Sequence, residues 1–174
     1  MKFINILGQE CEFDCMGCDI ANHKLIPPGG YVYEDDFINI SADPEIPIPG
    51  FMILGIKKHV KSLNDLTDNE RLQIINILNL TISKIKDCKI AEEVILIQEE
   101  RSKHFHIWIV PLLKWMEQFN KSVTNIDKII NYSKEIYNEE IKDKILEYVR
   151  ILKESFNMDI LGGVQKNIKK NRVN

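Results

Sequence analysis

The chain has 174 residues, 44% of them hydrophobic, enough for one domain that buries a core without disulfide support. With 23 basic and 26 acidic residues the net charge is -3, so no global field is available to grip a polyanion, and a dedicated nucleic-acid binder is disfavoured. No apolar run reaches the ~18 residues of a membrane span, and the opening "MKFINILGQECEFD" has one lysine, a short apolar run and early acids, so neither a span nor a signal peptide is expected and the cytoplasm is the default compartment.

In that compartment Cys11, Cys15, Cys18 and Cys88 read as thiols or metal ligands rather than disulfides. Cys15 and Cys18 form a C-x-x-C whose spacing lets both thiolates bind one Zn²⁺, leaving two nitrogen or sulfur positions of a tetrahedron to fill, with Cys11 a substitute ligand. A redox pair is the competing reading. It asks for a strand before and a helix after, whereas here the Pro-Gly break "IPPGG" follows closely.

"YVYEDDFINIS" then predicts a β-hairpin around an acidic turn, "DPEIPIPG" a proline loop, and "FMILGI" a buried strand. Thr67 with Glu70 three residues on has capping-box spacing, and Leu72, Ile75, Leu78, Ile82 and Ile85 continue a helix to about Asp87, after which Cys88 reads as ordinary core. "EVILIQ" and "HFHIWIV" predict two adjacent antiparallel strands joined by a charged turn. On the second, His104, His106, Trp108 and Val110 share one face, while Phe105, Ile107 and Ile109 supply a core face on the other. The same-face imidazoles need partners or solvent, and spacing alone leaves structural and chemical duties evenly balanced. The same-face His104 and His106 are also the donors at hand for the open positions of a Cys15–Cys18 zinc. From 126 to about 156, Ile129, Ile130, Ile136, Ile141, Ile145, Val149 and Leu152 recur at mostly helical spacing, and the basic end "QKNIKKNRVN" reads as a frayed, solvated terminus.

"HFHIWIVP" resembles the motif of the histidine triad family: His, apolar, His, apolar, His, then two apolar residues and a nearby proline. His104 and His106 match its first two histidines, and Trp108 stands at the third. Upstream, "YEDDFINISADPEIPIPGFMILGIKKHVKSLNDLTDNE" resembles the family's first half, so the resemblance runs from Cys15 to Pro111. It implies an α+β fold, with an antiparallel sheet and a long central helix, placed here in residues 1–111; the helical pattern beyond it is expected to form an extension, 112–174, packed on the same domain. It also implies a homodimer and a nucleotide hydrolase or nucleotidyl transferase acting at the α-phosphate of a nucleotide conjugate. By the same resemblance, structural zinc is held by Cys15, Cys18, His59 and His104, His106 is the nucleophile, and Asp43 binds the ribose hydroxyls. Gln98 and Ser102 are the nearest candidates for the phosphate loop, with Arg101 or Lys103 as compensating cations, and Trp108 lines the nucleotide site. An indole has one N–H donor and no proton to transfer, so Trp108 leaves three outcomes: substrates with good leaving groups, a proton from elsewhere, or a non-catalytic zinc-containing nucleotide-binding or interaction module.

Overall fold

The computed structural model describes residues 2–98, 100 and 102–170, with side chains through residue 158. A short ribbon opens the chain, β1 (Lys2–Ile4) antiparallel to β2 (Glu10–Glu12), followed by the six-residue helix α1 (Met16–Ala21). Five strands form the main sheet: β3 (Tyr31–Glu34), β4 (Ile38–Ala42), β5 (Met52–Ile56), β6 (Val94–Ile97) and β7 (His106–Pro111), in the order β3-β4-β5-β7-β6 and antiparallel throughout. Helix α2 (Asp68–Asp87) crosses between β5 and β6, while α3 (Ile126–Glu135) and α4 (Glu139–Lys170) complete the described residues. The fold is therefore the expected α+β arrangement.

The local signals act as their chemistry dictates. Asp35 closes the β3–β4 hairpin, its Oδ1 accepting the N–H groups of Phe37 and Ile38 at 2.7 and 2.6 Å. Thr67 and Glu70 form the reciprocal capping box that starts α2. The helical pattern after residue 126 is one stretch in sequence but two helices in space. Asn138 accepts the Ile141 N–H through its side chain and the Lys142 N–H through its carbonyl, which starts α4 afresh. Of the basic end, the backbone is helical to Lys170, and the remainder lies outside the described residues.

Strand alternation splits the apolar residues into two cores. On one face Ile38, Ile40, Met52, Leu54, Ile56, Phe105, Ile107 and Ile109 pack with Ile74, Leu78 and Ile85 of α2 and Ile145, Val149, Leu152 and Phe156 of α4. Lys84 of α2, buried, donates from Nζ to the Ser155 carbonyl at 2.6 Å and lies over the Phe156 ring, tying the two helices together. On the other face Ile46, Ile48, Phe51, Val110, Met116 and Ile129 form a second core, with Trp108, Trp115 and Phe119 packed against it. This second core covers the Trp108–Val110 end of the histidine face.

The β1–β2 ribbon and the α3–α4 junction meet near the loop after β4. The Ile6 N–H donates to the Pro44 carbonyl at 2.8 Å, and the Tyr137 hydroxyl donates to the Ile6 carbonyl.

Because Leu152 is fully buried in the same core as the sheet, Leu152→Ala should cost about 2–4 kcal/mol. Tryptophan fluorescence and far-UV circular dichroism should report one coincident unfolding transition. A separate, earlier loss of helix would make 112–174 an independent unit.

Candidate functional site

Cys15 precedes the first turn of α1 and Cys18 lies within it, so the C-x-x-C presents both thiols on one side of that turn. Opposite them are His59, in the loop after β5, and His104, just before β7. Sγ of Cys18 is 2.9 Å from Nδ1 of His59 and 3.5 Å from Nδ1 of His104, and Sγ of Cys15 is 3.6 and 3.5 Å from the same two atoms. All four ligand atoms lie within 4.8 Å of one another. The four residues that the resemblance implied are thus brought together from three distant parts of the chain.

The donor set fits a Cys₂His₂ metal. Nε2 of His104 is 2.7 Å from the Ile56 carbonyl, which can only accept, so the proton resides on Nε2 and Nδ1 is left as a lone pair facing the thiols. Burial, reinforced by the neighbouring imidazoles, holds His104 below its ordinary range and hence neutral. Burial and the adjacent Cys15 push the Cys18 thiol up to about 11, as expected of two thiols packed together without a cation. Gly17 makes the approach possible, since a Cβ there would sit 2.5 Å from Cγ of the His104 ring. A short strand and a helix do flank the cysteines, the context a redox pair would want. The two imidazole nitrogens against the sulfurs are what favour metal.

His106 begins β7, half-buried, with Nδ1 3.0 Å from the carbonyl of His104. By the same acceptor argument Nδ1 carries the proton and Nε2 is free. Trp108 follows on the same face, its ring 6.1 Å from that of His106 and edge-on to Phe51 at 5.6 Å. Asp43 is 7% exposed, and its Oδ1 accepts the N–H groups of Glu45 and Ile46 at 2.6 and 2.9 Å. Burial pushes its carboxyl up to about 6, against which those two bonds and the charge of nearby His106 act.

The loop residues are placed differently. Gln98 is exposed, and the Ser102 hydroxyl donates to the His104 carbonyl at 2.9 Å while accepting the His104 N–H at 3.3 Å, so it braces the strand's start. Lys103 is exposed and Arg101 lies outside the described residues. Two polar side chains went unnoticed in the sequence: Asn39 and Ser41, 3% and 1% exposed, on the Asp43 face of β4. Their signal is alternation in "INISAD", where every apolar residue faces the helices.

No protein-family model matches this chain, and neither does any curated protein. Among solved structures it is similar to a zinc-bound histidine triad family protein from Mycobacterium smegmatis, with a TM-score of 0.61 and 13% identity over 84% of this chain and 97% of that one. It is also similar to a Hit-like protein involved in cell-cycle regulation from Bartonella henselae, solved with an unknown ligand (TM-score 0.58, 19% identity, 83% and 99% covered). A hypothetical histidine triad nucleotide-binding protein from Sulfolobus tokodaii matches at TM-score 0.57 and 19% identity, with 81% and 93% covered. The fold is that of histidine triad proteins. Eighty-four per cent of 174 residues is more than the stretch ending at Pro111 can supply, so the likeness reaches into the C-terminal helices.

The raised carboxyl of Asp43 has a sign that can be measured. Its folded pKa exceeds the unfolded value near 3.8, so the native state binds more protons between those values and stability falls as pH rises through that window. Asp43→Asn keeps the acceptor for Glu45 and Ile46 without the charge. It should stabilise the protein at pH 7 by about 1–3 kcal/mol, with a smaller gain at pH 5, in thermal melts.

Proposed function

We propose that the chain is a zinc-containing histidine triad enzyme, a nucleotide hydrolase or nucleotidyl transferase acting at the α-phosphate of a nucleotide conjugate. The observation that carries this reading is the free Nε2 of His106, whose other nitrogen is held by its own strand, on the sheet face it shares with buried Asp43. The histidine triad fold of the chain supports it.

Cys15, Cys18, His59 and His104 would hold the zinc, which fixes the start of β7 and takes no part in the chemistry. The lone pair of Nε2 of His106 attacks phosphorus as the bond to the leaving group breaks, and the Nδ1 proton stays against the His104 carbonyl. Water, or another acceptor hydroxyl, then takes the nucleotidyl group as the P–N bond breaks, its proton passing to solvent and the imidazole returning to its neutral form. Asp43 receives hydrogen bonds from the ribose hydroxyls through the oxygen that the loop N–H groups leave free. Trp108 has no proton to give the leaving group. Phosphoanhydrides such as dinucleoside polyphosphates, whose leaving phosphate departs as a stable anion, are therefore better substrates than phosphoramidates, whose amine needs protonation. Gln98 and Ser102 remain the phosphate-loop candidates, Ser102 through the strand geometry that it braces.

Two further expectations belong to this reading. A second copy pairs along β6, one edge of the sheet, where Leu96 is 44% exposed. The location is the cytoplasm; none of the described helices is long and apolar enough to cross a membrane. A second reading, a nucleotide-binding module without turnover, is favoured by Trp108 and by the short charged turn before β7.

Elemental analysis should find about one zinc per chain, lowered in Cys18→Ser and His59→Ala, and in Gly17→Ala through displacement of the His104 ring. Unchanged metal content in all three would remove the site. Incubation with a labelled dinucleoside polyphosphate followed by a basic quench should trap a nucleotidyl adduct that His106→Ala lacks. Nucleotide binding with neither adduct nor turnover would decide for the second reading.

A further inference from the structure

Resting on the nucleotide reading above, we infer that Asn39 and Gly55 form a base-reading subsite beside His106 that takes the N6/N7 edge of adenine. Asn39 on β4, Gly55 on β5 and His106 on β7 are register partners in one row across three strands. A Cβ at Gly55 would meet Oδ1 of Asn39 at 3.0 Å and Nδ2 at 3.5 Å, so the amide leans over the glycine. Neighbouring antiparallel positions have Cβ sites about 5 Å apart, which puts that amide one residue's width from the imidazole.

Asn39 is 3% exposed, yet no hydrogen bond reaches its amide among the described residues. Its oxygen and nitrogen are not among the fully enclosed unpaired atoms, so the little surface it keeps includes the amide itself. Gly55, Ile53, His106 and Trp108 are all half-buried, an accessible floor with the amide at its rim. An unmet donor and acceptor at a buried position are costly unless a ligand meets them.

The chemistry selects the ligand. A phosphate offers only acceptors and would leave Oδ1 unmet, whichever way the amide is turned. A planar group with a donor beside an acceptor meets both ends. Adenine provides this at N6–H and N7, the pairing that asparagine makes with it, whereas guanine presents two acceptors there. In an anti nucleotide the N7 edge lies on the side of the 5′-phosphate. An edge read next to His106 is therefore compatible with phosphorus at Nε2. Gly55 supplies room for the ring, which any larger side chain would fill.

The test is calorimetric titration of the full-length, metal-loaded protein with AMP, GMP and 7-deaza-AMP. AMP should bind about tenfold tighter than either of the others, and Asn39→Leu, checked by its zinc content and melting curve, should reduce AMP to the GMP level while leaving GMP nearly unchanged. Equal affinities for the three ligands, or equal weakening of AMP and GMP in Asn39→Leu, would overturn the subsite and leave the nucleotide reading standing. The comparison with 7-deaza-AMP uses the unaltered protein, so it decides the matter even if the variant does not fold. Failure of every nucleoside monophosphate to bind would overturn the nucleotide reading itself.

Discussion

The imidazole of His104 is the constraint on which the site depends. Its Nε2–H donates to the Ile56 carbonyl at the end of β5, and its Nδ1 faces the two thiols carried by α1. Its main chain is held as firmly: the carbonyl accepts from both Ser102 Oγ and His106 Nδ1, and the N–H reaches back to Ser102. One buried residue thus sets the tautomer of the next histidine, the entry of β7 into the sheet, and the position of a helix whose Cys15 lies 89 residues upstream. Removing the ring would leave a buried carbonyl without its donor as well as a ligand position empty.

The two faces of the sheet divide the remaining work. Helices α2 and α4 cover one face with an unbroken apolar core, which can be rigid because nothing must enter it. The other face is covered only in part. At one end α1 and its cysteines approach β5, and at the other the segment after β7 brings Met116, Ile129 and the Trp115 and Phe119 rings into one core with Val110 and Phe51, with Tyr132 against those two rings. Between these covers lie the half-buried His106, Trp108, Ile53 and Gly55. Polar residues at alternate positions of β4 border this open strip.

What could be read from sequence was what is local. The hairpin turn, the capping box of α2 and the alternation of β7 depend on spacing within a few residues, and each formed as those spacings dictate. The metal quartet was legible because C-x-x-C leaves two ligand positions open and a familiar motif order filled them. Pairings with no local signature were not legible. The ribbon of β1 and β2 has three-residue strands, and α1 has six residues, too few for periodicity to show. The second core draws Ile46, Val110 and Ile129 from separate segments. Asn39 has no local signature of this kind either: its burial follows from what covers β4, and its amide leans over Gly55, on a different strand.

The clasp between the β1–β2 ribbon and the α3–α4 junction bears on the order in which the molecule can be completed during synthesis. The loop behind Asp43 is braced by Ile6, and Ile6 is in turn held by Tyr137, 131 residues later. A nascent chain that already contains the whole sheet, through Pro111, still lacks that brace until the α3–α4 junction has left the ribosome. The metal quartet, complete once His104 is made, can form earlier. Assembly at the two ends of the same open strip is therefore separated in time, with the Asp43 end the later of the two.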